Sequence, residues 1–268
     1  PGRVLDEAIR AAKLIRKKAR RKKLNICLSS GIDSQAMLQA FYESGVKFSA
    51  KVLVYNNSFN DFDTQEIIAK CRSLNIEPEI ISLSILDFYE QGQHLVYGKK
   101  YRCQSPQLAV HLWLAEQFAK DQVVVMSGNP PHPTFKDQEV IRWGLPGSLH
   151  SCLFNAQKQE LPGFIPCFFL YTPELLASFF QTKVYKQIIA QGEAGQDVCV
   201  TYQDKCNVYL EGGFHIKPQK QKYTGFERVR EHYDAIHSRQ HGVAYDELFR
   251  LPLEVMNPYP KYFIEKIF

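Results

Sequence analysis

Apolar residues recur at helical spacing from the start of the chain. Val4, Leu5, Ala8, Ile9, Ala12, Ile15 and Ala19 predict a helix over residues 4–22. The largely apolar run Leu24-Asn25-Ile26-Cys27-Leu28 predicts a first strand, and a helical pattern over 34–44 closes at Ser44-Gly45. A strand Phe48–Tyr55, a helix 63–74 with Asp63 or Thr64 near its cap, a strand 79–83 and a short helix Leu86–His94 follow. Ser105 as cap and Pro106 in the first turn open a helix reaching Lys120, on which Leu108, Leu112, Ala115 and Phe118 keep the period. Val123–Met126 is short and wholly apolar, as a strand covered on both faces reads. Strands alternating with helices predict an α/β chain built on a doubly wound parallel sheet.

After Ser127-Gly128 the pattern changes. Asn129-Pro130-Pro131-His132-Pro133-Thr134 is too proline-rich for a helix and predicts a stiff loop. Beyond it the spacing predicts a strand Ile165–Leu170, helices Pro173–Phe180 and Lys183–Ala190, and a hairpin of Val198–Tyr202 and Cys206–Leu210 around Gln203-Asp204-Lys205. A helix Arg228–Arg239 comes next, and the Pro-, Tyr- and Phe-rich stretch Leu251–Phe268 is expected to wrap the core. We divide the chain into a ligand-binding α/β core with a basic first helix, residues 1–150, and a mixed α+β extension, residues 151–268, that packs on the core and completes a substrate pocket.

A length of 268 residues with 45% hydrophobic composition suffices for one large α/β core. No apolar run approaches the roughly 20 residues of a membrane span, and no signal peptide is recognised. Seven scattered cysteines with no CxxC suit reduced thiols in a cytoplasmic protein. Net charge is +5, yet Arg16–Lys23 alone carries seven positive charges, so the remainder sums to −2. The positive character is a local patch. It reads either as the solvated C-terminal end of a helix or as a contact for nucleic acid or another polyanion.

The chemistry concentrates in Ser29-Ser30-Gly31-Ile32-Asp33-Ser34, between the first strand and the next helix. Strand, hydroxyl-and-glycine turn, helix is an oxyanion cradle: backbone N–H groups at the helix start face the anion and the helix dipole favours it. Gly31 lets the backbone approach a phosphate, and Ser29, Ser30 and Ser34 add hydroxyl donors. Asp33 is the odd member, since a carboxylate repels phosphate unless it holds Mg²⁺ or organises the loop.

This hexapeptide resembles the SGGxDS signature of the PP-loop ATP pyrophosphatases, which include asparagine synthetase, NAD synthetase, GMP synthetase, the tRNA-thiolating enzymes and the PAPS reductases. Ser30 stands where the family has its first glycine. Val125-Met126-Ser127-Gly128 resembles the V-V-L-S-G stretch of asparagine synthetases, but Asn129-Pro130-Pro131-His132-Pro133 replaces their acidic loop. The likeness extends over roughly residues 24–130 and is nearest to the C-terminal domain of asparagine synthetase.

The resemblance implies a HUP/Rossmann-like fold, ATP as cofactor, and cleavage of ATP between its α- and β-phosphates. A substrate oxygen is adenylated, pyrophosphate leaves, and a nitrogen nucleophile displaces AMP. By carry-over, Ser29, Ser30, Gly31 and Ser34 hold pyrophosphate, Asp33 serves Mg²⁺ and catalysis, Val54 and Tyr55 flank the adenine, and Ser127 and Gly128 close the site. Lys136 and Arg102 are the expected catalytic cations, ahead of Lys217, Lys220 and Lys222. With one helix before the loop, ammonia or an amine is expected from a separate donor. The acceptor is a small molecule or a nucleic-acid-linked group, and an oligomer is compatible with the sequence. Alternatives are a sulfur-transfer or PAPS-reductase-like enzyme, for which Cys103 offers a thiol, a base- or tRNA-modifying enzyme, and an inactive nucleotide-binding subunit. His132, among its prolines, either orients substrate or is a plain loop histidine.

Overall fold

The computed structural model describes residues 1–103, 105–136, 139–144, 151–196, 198–218 and 225–232, without the side chains of 134–136, 139–144 and 151. The first half runs α1 (Val4–Ala19), β1 (Leu24–Leu28), α2 (Ile32–Glu43), β2 (Ser49–Tyr55), α3 (Asp61–Ser73), β3 (Glu79–Leu83), α4 (Ile85–Glu90), α5 (Gln93–Tyr101), α6 (Pro106–Glu116) and β4 (Val123–Met126). The second half adds β5 (His132–Lys136), β6 (Glu139–Gly144), α7 (Ser151–Gln159), β7 (Phe164–Ile165), α8 (Pro173–Phe180), α9 (Lys183–Glu193) and α10 (Tyr202–Glu211). Residues 226–232 are also helical.

The main sheet has five strands in the order β3-β2-β1-β4-β7, and every pairing in it is parallel. The fold is therefore α/β, a doubly wound Rossmann-like sheet. β1 and β4 are buried along their whole length, as their apolar composition requires. Leu24, Ile26, Leu28, Val123 and Val125 face a layer built with α1, α2, α3, α8, α9 and α10. Cys27, Val124 and Met126 face the opposite layer, built with α4 to α7. Residues of the second half enter the first layer directly: the Phe169 ring lies 5.4 Å, centroid to centroid, from Tyr209, and the Tyr209 ring lies 5.4 Å from Phe214.

Several expectations are corrected. Residues 198–210 form no hairpin; α10 occupies their second half because Thr201 and Asp204 make a capping box. Thr201 Oγ1 accepts from the Asp204 N–H at 3.1 Å, and the Asp204 carboxylate accepts from the Thr201 N–H at 3.0 Å. The alternation Val198, Val200, Tyr202 mimics a strand only up to that cap. The strand expected over 165–170 is cut to two residues, because Pro166 has no N–H to extend the ladder; a 3-10 turn at Phe168–Leu170 follows. The proline loop yields to β5 from His132 onward, paired antiparallel with β6 in a separate two-stranded ribbon, where Pro133 meets no central-strand demand for a donor. α5 and α7 were not anticipated. The stretch Leu251–Phe268 and the end of the last helix, 233–239, lie outside the described residues.

Candidate functional site

In an open parallel sheet the strand order reverses beside the first strand, and the crevice beyond the strand ends there receives ligands. Here that point lies between β1 and β4, and the segments leaving both strands carry the candidate residues.

Gly31 is the N-cap of α2 with φ −56° and ψ 146°, so its use is space, not a left-handed backbone. A Cβ there would sit 3.4 Å from Ser29 Oγ, on the side an anion would occupy. The Gly31 N–H points at Ser29 Oγ at 3.3 Å, and Ser29 Oγ lies 3.3 Å from Ser34 Oγ. The first helical bond is Gln35 N–H to Gly31 O at 3.0 Å, so the N–H groups of Ile32, Asp33 and Ser34 have no acceptor within α2. Two hydroxyls, these amides and the positive helix end lie together at the start of α2, an arrangement able to receive an anion.

Ser30 does not join them. It is fully buried, and both its N–H, at 3.0 Å, and its hydroxyl donate to Asp63 Oδ1 on α3. Ser30, expected to hold phosphate, here turns under the loop and anchors it on α3.

Asp33 is engaged on both oxygens. Oδ2 accepts from Lys205 Nζ at 2.6 Å and Oδ1 from the Tyr209 hydroxyl at 2.6 Å. Lys205 Nζ also donates to Asn129 Oδ1 at 3.0 Å, so loop, α10 and the β4 exit meet at one ammonium. Lys205 and Tyr209 are four residues apart and share a face of α10. The pair is mostly withdrawn from solvent, with side chains 17% and 14% exposed for Lys205 and Asp33. Burial, reinforced by the Asp33 charge, holds the Tyr209 hydroxyl well above its usual pKa, so it stays a proton donor.

Both Asp33 oxygens already accept hydrogen bonds, from Lys205 and Tyr209, so a divalent ion at Asp33 would compete with the ammonium for the carboxylate. Among the described residues no group of three or more His, Cys, Asp or Glu could hold a metal.

A cavity of about 230 Å³ adjoins the Asp33–Lys205 pair, lined by Asn129, Pro130, His132, Tyr185, Thr201 and Lys205 among others. Burial, with the Lys205 charge as a smaller cause, lowers the His132 pKa and keeps the ring neutral. The Tyr185 hydroxyl is buried and has no hydrogen-bond partner among the described residues; burial, then the charges of Asp33 and Asp204, raise its pKa. Gly128 has φ +63°, and a Cβ on it would run into the Cys167 side chain, so glycine is required to turn the chain from Ser127 to Asn129. The Ser127 carbonyl accepts from the Phe168 N–H at 3.1 Å and holds that turn.

Val54 and Tyr55 end β2; Tyr55 is buried, with its N–H on Asn60 Oδ1 at 2.8 Å. Arg102 caps α5 at its C-terminus with φ 55°, and among the described residues no hydrogen bond or ion pair ties it to the loop or to Lys205. The Lys136 side chain, Lys220 and Lys222 lie outside what is described. Lys217 is exposed and pairs with Glu66 at 3.1 Å. Cys103 is buried with Sγ 3.3 Å from the Ser105 carbonyl, while Cys199 is exposed and lines the cavity.

Lys205 and Tyr209, both on α10, are the central site residues that sequence reasoning missed. The T-x-x-D cap immediately before Lys205 was the available signal. The basic run lies elsewhere: it precedes β1, whereas the loop follows it, so roughly 17 Å of strand separates them. Arg16 bonds back to the carbonyls of Arg20 and Lys22, the latter at 2.9 Å, and Lys18 Nζ lies 5.3 Å from the Tyr171 ring centroid.

No helix among the described residues is long and apolar enough to cross a membrane. No family model matches the sequence, and no curated protein matches it. Among solved structures the chain is similar to NMN synthetase from Francisella tularensis, at 18% identity and a TM-score of 0.36, over 80% of this chain and 98% of that one. It is also similar to the NH3-dependent NAD synthetase from Campylobacter jejuni subsp. jejuni, at 13% identity and a TM-score of 0.34, over 81% and 99%. Neither is an asparagine synthetase.

Proposed function

We propose that the protein is an ATP-dependent synthetase that splits ATP between its α- and β-phosphates and adenylates a substrate oxygen. The observation that carries this reading is the meeting, at the β1/β4 crevice, of an amide- and hydroxyl-lined helix start with the Asp33–Lys205 pair at the mouth of a cavity. The Gly31 amide, the first amides of α2 and the Ser29 and Ser34 hydroxyls hold the pyrophosphate half of the nucleotide. The end of β2, at Val54 and Tyr55, offers a wall for the adenine.

The acceptor occupies the cavity of about 230 Å³, which is below the usual range for drug-sized ligands and so limits it to a small group. Its oxygen attacks the α-phosphorus, the α–β bridge breaks, and charge gathers on the departing pyrophosphate. An ammonium has three N–H donors, and Asp33 and Asn129 take two of those on Lys205; the third stabilises that charge in a largely water-excluded setting. Asp33 holds the ammonium and Tyr209 holds Asp33. Any divalent ion belongs to the nucleotide as part of the substrate. A nitrogen nucleophile supplied by a separate donor then displaces AMP.

The exposed Cys199 at the cavity favours one second reading, sulfur transfer, in which a thiol takes the nucleophile's place. The test is product analysis of ATP turnover with small acids, amines and nucleobases as acceptors. AMP and pyrophosphate support adenylation; ADP and phosphate refute it; AMP formation lost in Cys199→Ser selects sulfur transfer; and nucleotide binding without turnover under any acceptor selects the inactive-subunit alternative.

A further inference from the structure

Gln35 lies one turn into α2, is 2% exposed, and takes no part in the chemistry above. Its Nε2 donates to the Ser30 carbonyl at 2.7 Å and to the Lys217 carbonyl at 3.1 Å. Its Oε1 accepts from the Lys217 N–H at 2.9 Å and from Lys70 Nζ at 3.1 Å. Two acceptors meet one end of the amide and two donors the other, so its orientation is assigned by its partners and its capacity is filled. A buried amide satisfied in this way holds what it touches.

What it touches is the Ser30–Gly31 peptide. In a trans peptide the carbonyl and the N–H point in opposite directions. Fixing the Ser30 carbonyl on Gln35 therefore turns the Gly31 N–H to the other side, the side of the Ser29 and Ser34 hydroxyls. Released from Gln35, the carbonyl oxygen can turn to that side and set its negative end against an incoming anion. Asp63 does not prevent this, because it holds the preceding N–H, that of Ser30 itself. The same amide binds both backbone groups of Lys217, in the segment that leaves α10, the helix bearing Lys205 and Tyr209.

We infer that Gln35 is the positioning residue of the anion cradle: it sets the Ser30–Gly31 peptide so that the Gly31 N–H faces the anion, and ties that setting to the segment following α10. The inference rests on the phosphate-site reading above.

The test is Gln35→Glu, titrated with inorganic pyrophosphate beside the wild type across pH. The carboxylate keeps its bonds from Lys217 N–H and Lys70, but places an oxygen against the Ser30 and Lys217 carbonyls and drives the peptide over. Binding is expected to weaken about tenfold or more near neutral pH, the loss of one charge-assisted hydrogen bond. It recovers toward wild type as the carboxyl takes up a proton and can donate to Ser30 again. The other titratable groups facing this region are Lys70, Glu66 and Asp63 of α3, and Lys217 and His215 of the segment after α10; the wild type carries all of them, so the variant-to-wild-type ratio cancels their titration. Gln35→Met, with no new charge, is expected to bind weakly at every pH. Wild-type affinity in either variant near neutral pH, or a Gln35→Glu deficit that does not change with pH, overturns the inference. A wild type that binds neither pyrophosphate nor ATP overturns the phosphate-site reading, and this inference with it.

Discussion

Replacing Asp33 by Ala removes two charge-assisted hydrogen bonds, from Lys205 and Tyr209, both 2.6 Å long. It also strands an ammonium that is 17% exposed and keeps only Asn129 as a partner. Breaking one side of a buried pair costs about 3–5 kcal/mol, and the partial exposure places this case near 3 kcal/mol. Lys205→Met, which leaves Asp33 on Tyr209 alone, is expected to cost about 2 kcal/mol. The double variant removes the stranded charge, so its cost stays near 3 kcal/mol and the cycle yields a coupling of about 2 kcal/mol. Urea unfolding of the four proteins gives these values, and ATP titration of the same samples gives the functional half. The double variant is expected to regain stability relative to the sum of the singles without regaining nucleotide turnover. Costs that add within about 0.5 kcal/mol would refute the claim that Asp33 and Lys205 act as a unit.

Further expectations concern neighbouring parts. Gly128→Ala, which combines a positive φ with a clash against Cys167, is expected to lose about 2–4 kcal/mol in urea unfolding, and Cys167→Ala is expected to restore part of that loss; equal stability with wild type contradicts the close-approach argument. Tyr185→Phe deletes a buried hydroxyl that has no partner among the described residues, so thermal unfolding should show no loss of stability, whereas a drop of more than about 1 kcal/mol shows that the hydroxyl is bonded. Burial pushes the His94 pKa down from 6.5 to about 4, so the unfolded chain binds the proton first. Stability is then full above the unfolded value and falls as pH drops from about 6.5 toward 4, by about 3 kcal/mol, and His94→Gln should flatten that slope. Neutralising Lys17, Lys18, Arg20, Arg21 and Lys22 should leave ATP turnover intact, since they lie at the far end of β1; if the run binds polyanions, RNA affinity and its salt slope fall, and unchanged affinity removes that reading.

The core of the fold was legible because its signals are local. The period change between Ala19 and Leu24, the wholly apolar Val123–Met126 and the Ser105-Pro106 cap each report one element without reference to the rest, and the parallel order follows from their alternation. The loop at Ser29–Ser34 was legible for the same reason. What the sequence hid depends on partners distant along the chain. Ser30 reads as a phosphate donor until Asp63 is brought beneath it from α3. Lys205 reads as a hairpin tip while Val198, Val200 and Tyr202 are counted as a strand, and becomes the central cation only when α10 carries it to Asp33. Arg102 was favoured for its place in the chain, yet α5, which its glycines obscured, ends there and takes it as a cap.

The adenylation reading meets its sharpest check in a crystal structure with a non-hydrolysable ATP analogue. It predicts the β- and γ-phosphates on the Gly31 amide and the Ser29 and Ser34 hydroxyls, with Lys205 Nζ within hydrogen-bond distance of a phosphate oxygen and the α-phosphorus open to the cavity beside Tyr185. A triphosphate bound at the Lys18–Lys22 surface, or one that leaves the Ser29–Ser34 loop untouched, contradicts it.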